Sequence, residues 1–384
     1  MADLLSSADI LPKDDKALLI GRVWDAAQNG PCLVLVDGAN LKNISALAPT
    51  LSQLIERDDL VNLLKNPADF EDLGPLDDYL NEDKGTLLAP CDLQPVKAAG
   101  VTFADSMLER VIEEQAKGDP ARAEAIRAKL APVIGDNLRG IQAGSEEASK
   151  VKTLLQDMGL WSQYLEVGIG PDAEIFTKAP PMSSVGCGAS VGIHPISNWN
   201  NPEPEVVLAV RSSGSIVGAT LGNDVNLRDV EGRSALLLGK AKDNNAACAI
   251  GPFIRLFDDT FKLEDLSNVE VSLKVTGSKD GFEMTGVSPM SAISRTPADL
   301  ASQTLNANHQ YPDGVMLFLG TMFAPTKDRR GQGQGFTHEI GDRVEISAPA
   351  LGSLINWVDR TDAIAPWSFG LSALMSNLVS RKLL

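Results

Sequence analysis

The stretch Asn198 to Asp224, NWNNPEPEVVLAVRSSGSIVGATLGND, restricts what this chain can fold into more than any other. Two apolar runs, residues 203–210 and 215–222, flank Ser212-Ser213, and the expected form is a β-hairpin with a two-residue turn. In that register Glu205 faces Thr220, Glu203 faces Gly222, and Asp224 falls opposite Asn201, so three carboxylates share one face of the pleat. Glu203 and Asp224 become diagonal neighbours about 7–8 Å apart at the backbone, within reach of one ion. Carboxylates clustered on an apolar sheet repel each other and lose hydration unless a cation offsets both costs. All-oxygen ligation suits Mg²⁺ or Mn²⁺, and the lack of a nearby His or Cys argues against zinc. The spacing leaves a second reading open, in which the glutamates face solvent from an edge strand that tolerates Pro202 and Pro204. A one-residue bulge in the turn would also break the shared face.

With 384 residues, 43% of them hydrophobic, the chain can bury a large core and is longer than a usual single domain. A formal net charge of -17 without a long acidic run argues against nucleic acid and anionic membrane as partners. The four cysteines, Cys32, Cys91, Cys187 and Cys248, are too scattered for a disulfide scaffold and read as thiols of a reducing compartment. The N-terminus lacks a basic region followed by an apolar one, and no apolar window approaches about 18 residues, so a cytoplasmic location is expected.

The acidic, Gly/Pro-punctuated segment FEDLGPLDDYLNEDKG, residues 70–85, is the expected boundary between an N-terminal unit, residues 1–88, and a larger one, residues 89–384. Packing or oligomer contacts are the expected role of the first unit, which mixes short strands and helices. Residues 105–160 read as mainly helical, with Asp119-Pro120 as N-cap and first position before ARAEAIRAKLAPVIG. After Trp161, Val/Ile/Phe-rich strands alternate with turns to about residue 350. The fold class is α+β: a small N-terminal α/β domain and a large β-rich domain with a helical insert.

Glu203-x-Glu205 and Asp224 in Asn223-Asp-Val-Asn-Leu-Arg-Asp229 join further motifs: Phe176-x-Lys178-x-Pro180, Lys242 ahead of Gly251-Pro252, and Gly320-Thr321. Together, over about residues 87–355, this pattern resembles the fumarylacetoacetate hydrolase superfamily. The resemblance implies a mixed β-roll domain, a divalent metal on Glu203, Glu205 and Asp224, small 2-oxo acid substrates, and a homodimer or homotetramer. Hydrolases of that superfamily carry a water-activating His in an N-Y-x-x-H-x-x-E segment; the matching stretch Thr102 to Glu109 has Ser106 there. The three histidines, His194, His309 and His338, all lie elsewhere. GVTFADSMLERVIEE, WSQYLEVGIGPDAEIFTKAPPMSSVG and GKAKDNNAACAIGPF are instead similar to the superfamily's sugar-acid dehydratases. That likeness implies Mg²⁺-dependent loss of water from a 2-keto-3-deoxy-pentonate, of the xylonate or arabinonate series, to give 2,5-dioxopentanoate in non-phosphorylated pentose breakdown. The alternative it leaves is hydrolysis of a C–C bond in 2,4-dioxo acids.

The resemblance places Lys242 beside the metal as a proton carrier, with Glu109 or Glu114 as a second. Ser106, Arg110, Lys178, Arg228 and Thr321 are its candidate substrate contacts, Arg110 through a bidentate fork. Glu109, Arg110, Glu113 and Glu114 also fit a solvated helix face with i,i+4 pairs, and Lys178 a surface charge. Glu231 stands where the hydrolases carry Gln. His309 reads as a turn cap, and GQGQG at 331–335 as a flap rather than a phosphate loop.

Overall fold

The computed structural model describes residues 4–81, 84–117, 119–130, 138, 140–323 and 325–384. The first 88 residues supply strands β1 (Leu19–Asp25), β2 (Gly30–Asp37), β3 (Asn40–Asn43), β4 (Glu71–Pro75) and β5 (Gly85–Leu88). Strands β6 (Val96–Ala99) and β7 (Ile175–Ala179) flank the helical insert. Then follow β8 (Ser190–Ile193), β9 (Asn200–Asn201), β10 (Pro204–Val210), β11 (Ile216–Asp224), β12 (Asn226–Leu227) and β13 (Cys248–Leu256). The last five are β14 (Glu270–Thr276), β15 (Glu283–Pro289), β16 (Val315–Phe318), β17 (Arg343–Ala348) and β18 (Gly352–Arg360).

An 11-stranded sheet runs β4-β3-β2-β1-β13-β11-β10-β16-β6-β7, with β5 also on β1, and a 5-stranded sheet runs β15-β14-β17-β18-β8. The β16–β6 and β18–β8 pairs are parallel and the other pairs antiparallel, so both sheets are mixed. The fold is α+β, as expected. Through β1 against β13, Leu19 opposite Arg255 and Ile20 opposite Ile254, the N-terminal strands extend the same sheet that carries the carboxylates.

Every residue of β10 and β13 is buried, which is why both are almost wholly apolar, with Glu205 and Arg255 the charged exceptions. Val206, Leu208, Ala219 and Leu221 pack from one face of the large sheet against Val271, Leu273, Ile346 and Leu354 of the smaller. From the opposite face Val207, Ala209, Ile250 and Phe318 meet Leu51, Leu54, Ile55 and Leu60 of the N-terminal segment. Full burial of such side chains contributes about 1.5–3 kcal/mol each before the opposing chain entropy. In β17, alternate residues are buried, so that sheet keeps one face toward solvent.

The insert between β6 and β7 contains helices Ala104–Ala116, Pro120–Leu130, Glu146–Asp157 and Gln163–Ile169. The Asp119 carboxylate accepts from Ala121 N, Ser145 caps the third helix and Ser162 the fourth. The expected run from Pro120 to Gly135 is described to Leu130, and its remainder lies outside the described residues. Met107, Val111, Ile112, Leu155, Leu165 and Ile169 form a separate small core with Trp199. This core fixes the charged face of helix Ala104–Ala116 against the mouth of the sheet.

The hairpin differs from its expected register. Residues 211–215, rather than two residues, join β10 to β11, with Arg211 N donating to Ser215 O, and a bulge lies between Ala209 and Val210. Beyond the bulge Glu205 pairs with Gly222, and Asp224 N donates to Glu203 O at 3.1 Å. Each partner has moved by two residues, and an even shift preserves the face. Glu203 therefore lies directly across from Asp224, not diagonally.

Candidate metal centre and its charge network

Glu203, Glu205 and Asp224 are 2%, 1% and 1% exposed, which closes the solvent-facing reading. Each offers one carboxylate oxygen, and the three oxygens lie within 4.8 Å of one another. Glu203 N donates to Asn223 Oδ1 at 3.2 Å, and Gly320 N donates to Glu205 Oε2 at 2.7 Å. Gly320 sits at φ 97°, and a Cβ there would lie 2.3 Å from Thr102 Oγ1 and 2.4 Å from Gly100 O, so a side chain would displace this donor. Burial, together with the Asp224 and Glu203 charges, pushes the Glu205 carboxyl well above the usual carboxylate range. Three buried, convergent oxygens without sulfur or imidazole form a donor set that fits a hard divalent cation.

Cations of the chain answer part of this charge. Lys242 Nζ donates to Glu203 and, at 2.9 Å, to Asp224 Oδ2. Burial acts to lower the Lys242 pKa, but Asp224, Glu203 and Glu231 outweigh it and hold the ammonium above its ordinary value. Lys178 is wholly buried, with Nζ 2.7 Å from Asp224 Oδ1 and bonds to the carbonyls of Lys242 at 2.6 Å and Val225 at 3.0 Å. Burial disfavours the Asp224 carboxylate, yet Lys178 and Lys242 bring it below its usual value.

A second charged row leads into the insert. Arg110 pairs with Glu203, with Glu113 at 2.7 Å and with Glu231 at 2.8 Å. Arg228 binds Glu113 at 2.6 Å, Glu109 at 3.1 Å and Pro325 O at 3.0 Å, and lies 4.5 Å over the Trp199 ring. Arg127 closes the row with a bidentate pair on Glu109 at 2.8 and 2.7 Å. Burial pushes the Glu231 carboxyl up to about 7, against the pull of Arg110 and Lys242.

A cleft of about 300 Å³, counted with its open mouth, lies over the three carboxylates and is lined also by Lys242, Arg110, Glu231, Glu174, Tyr164, Phe176 and Thr321. Glu203, Glu205, Asp224, Lys242, Arg110 and Thr321 thus come together as the sequence suggested. Lys178, Arg228 and Glu109 lie behind the lining, tied up in ion pairs, so none of them reaches a substrate in this arrangement. Ser106 is also outside the lining; it is buried and its hydroxyl donates to Phe103 O at 2.9 Å. Glu114 points away, accepting from Gln163 Nε2 at 2.9 Å. His309 N bonds Asn306 O in a turn, and the Asp328 carboxylate accepts from Gly333 N at 2.8 Å and Gly335 N at 2.7 Å, so GQGQG wraps its own chain's acid.

Two titratable lining residues escaped the sequence reading. Glu174 immediately precedes β7, and burial raises its carboxyl pKa despite Arg110 and Lys242. The alternation Glu174-x-Phe176-x-Lys178 places all three on one side of the strand and was the available signal. Tyr164, on helix Gln163–Ile169, had none, because only tertiary packing brings that helix to the cleft.

Residues 170–359 match the family model described as Fumarylacetoacetate (FAA) hydrolase C-terminal. A Haloferax volcanii protein with the curated name "Probable 2-keto-3-deoxyxylonate dehydratase" is 32% identical over 215 residues, 56% of this chain and 68% of the relative. The chain belongs to the fumarylacetoacetate hydrolase family. A second relative, 2-dehydro-3-deoxy-D-arabinonate dehydratase of Saccharolobus solfataricus, is 32% identical over 187 residues, 49% of this chain and 59% of its own length. The family fold is shared with a solved 2-keto-3-deoxy-D-arabinonate dehydratase complexed with magnesium and 2,5-dioxopentanoate: TM-score 0.61, 21% identity, covering 89% of this chain and 99% of that one.

Proposed function

We propose that this protein is a Mg²⁺-dependent dehydratase that converts a 2-keto-3-deoxy-pentonate, of the xylonate or arabinonate series, to 2,5-dioxopentanoate. The observation that carries this reading is one cleft holding three convergent buried carboxylates, Lys242 across Glu203 and Asp224, and the protonation-prone carboxyl of Glu174. The names of both curated relatives support it.

Glu203, Glu205 and Asp224 would hold the ion, which supplies Lewis-acid polarisation of a 2-oxo acid and so acidifies its C3–H. With a cation on Glu203 and Asp224 those carboxylates would hold the Lys242 ammonium less strongly, and its amine would be the group to take the C3 proton. Glu174, whose carboxyl is shifted by burial toward the protonated form, gives its proton to the departing C4 hydroxyl, which leaves as water. Loss of a C5 proton and protonation at C3 then convert the allylic alcohol into an enol with a C4–C5 double bond, which tautomerises to the aldehyde as C4 gains a proton and the C5 hydroxyl loses one. The second carboxyl role thereby passes from Glu109 and Glu114, both committed elsewhere, to Glu174. Arg110 and Thr321 act as substrate contacts. Ser106, which bonds the Phe103 carbonyl, supplies no water-activating base, and this disfavours the hydrolytic alternative.

In this reading the protein is a cytoplasmic homodimer or homotetramer, with residues 1–88 serving packing and oligomer contacts. All four cysteines are buried free thiols, which suits a reducing compartment. No described helix is long and apolar enough to cross a membrane. Leu371, Met375 and Val379 form an exposed apolar row on helix Leu371–Ser380 that suits contact between copies. The test is to supply Mg²⁺ and 2-keto-3-deoxy-D-xylonate: 2,5-dioxopentanoate is expected, and pyruvate with glycolaldehyde, or no product, overturns the reading.

A further inference from the structure

The polar side chains that line the cleft divide into those already engaged and those that are free. Arg110, Glu203, Asp224, Glu231 and Lys242 are held in ion pairs, Glu205 accepts from Gly320 N, and the Thr321 hydroxyl makes a long 3.5 Å contact to Phe323 O. Among the described residues the Glu174 carboxyl and the Tyr164 hydroxyl have no hydrogen-bond partner. Tyr164 is 7% exposed and lines the cleft, and its hydroxyl, without a protein partner, is available to a ligand there. A ligand that covers this hydroxyl without bonding it leaves it unsatisfied, whereas one that carries a matching hydroxyl does not. Burial and the Glu231 charge raise the phenol's pKa, so it stays neutral and serves as a hydrogen-bonding group rather than a proton source. It stands on helix Gln163–Ile169, which sets it on the insert side of the cleft.

We infer that Tyr164 is a specificity residue of this site: its hydroxyl bonds the terminal hydroxyl of a 2-oxo acid and so selects sugar acids over 2-oxo acids with an apolar tail. The inference rests on the functional reading to the extent that the 2-oxo acid end lies at the three carboxylates. The division of labour follows from the chemistry of the two free groups. Glu174, whose carboxyl is shifted by burial toward the protonated form, suits the hydroxyl that leaves; Tyr164, a neutral phenol on the insert side, suits the hydroxyl that stays. A site built to bond a hydroxyl discriminates by leaving its own partner unsatisfied when that hydroxyl is missing. The Ser162 cap at Tyr164 N, 3.2 Å, and the packing of Leu165 and Ile169 hold the phenol in place before substrate arrives.

The test compares 5-hydroxy-2-oxopentanoate with 2-oxopentanoate, a pair that differs in the terminal hydroxyl and has no C4 hydroxyl to lose, so binding is measured without turnover. With Mg²⁺ present, the full-length protein is expected to bind the hydroxylated acid about tenfold more tightly. Tyr164→Phe, which keeps the ring and its packing, is expected to abolish that preference while Kd for 2-oxopentanoate moves less than twofold. Equal binding by the unaltered protein, a preference retained in Tyr164→Phe, equal weakening of both acids, or no binding of either overturns the inference. Failure to dehydrate 2-keto-3-deoxy-D-xylonate alongside an intact, Tyr164-dependent preference would remove the dehydratase reading and leave this assignment standing.

Discussion

The two buried charge clusters contain the same residue types and differ in balance. In the insert row Glu109 and Glu113 are clasped by Arg127, Arg228 and Arg110, and every carboxylate faces a guanidinium. At the sheet, Glu203 and Asp224 share Lys242, Lys178 also holds Asp224, and Glu203 draws on Arg110 from the insert row, while Glu205 has a backbone N–H and two repelling carboxylates. Buried ion pairs that close on themselves are scaffold; a buried cluster with surplus negative charge calls for a further cation. The difference separates the row that holds Arg110 in position from the site that binds.

Removing members from each cluster should have opposite consequences. Glu203→Ala is expected to cut Mg²⁺-dependent turnover about a thousandfold, corresponding to several kcal/mol of Lewis-acid stabilisation, as read by steady-state kinetics. Undiminished activity would show that the facing of Glu203 and Asp224 is irrelevant. In the balanced row, Arg228→Met leaves Glu109 to Arg127 and Glu113 to Arg110, so one buried negative charge loses its counter-charge, and should cost about 3–5 kcal/mol of stability by chemical denaturation. Glu205→Gln should instead stabilise the protein in chelator by about 1–3 kcal/mol at pH 7, because it removes a surplus charge and keeps an acceptor for Gly320 N. The sign fixes the pH course. A carboxyl whose folded pKa lies above its unfolded value imposes no penalty below about pH 4, and its penalty grows as pH rises toward the folded value. The gap between Glu205→Gln and the unaltered chain should therefore close on acidification; a gap that widens would reverse the comparison. Smallest of all, Glu114→Ala should change turnover less than twofold and stability by under about 0.5 kcal/mol, since Glu114 accepts from Gln163 near the surface.

What could be read from the sequence followed from violations of pattern. Glu203 and Glu205 interrupt an apolar run, and Asp224 ends the next one; an even register shift left their shared face intact even though the turn was misjudged. The bulge at Ala209/Val210 has no signature in an apolar run, where every residue is a suitable strand former. Lys242 was found through a motif. Lys178 and Arg228 were found too, but given the wrong surroundings, because spacing says which residues approach a cluster and not which carboxylate will hold them. The pairing of β1 with β13 joins residues more than 200 positions apart in the chain, and no local periodicity reports it. Tyr164 was hidden for the same reason, since an amphipathic helix shows which face is buried and not what it is buried against.

The central claim is that the Glu203–Glu205–Asp224 cluster carries a charge excess that a divalent cation relieves. Calorimetric titration of Mg²⁺ into chelator-stripped protein, with the unfolding temperature followed in parallel, tests it most directly. The account predicts one ion bound per chain, stabilisation of about 2.7 kcal/mol at one hundred times Kd, and loss of both signals in Asp224→Asn. No heat and no shift, or binding that survives Asp224→Asn, would contradict it.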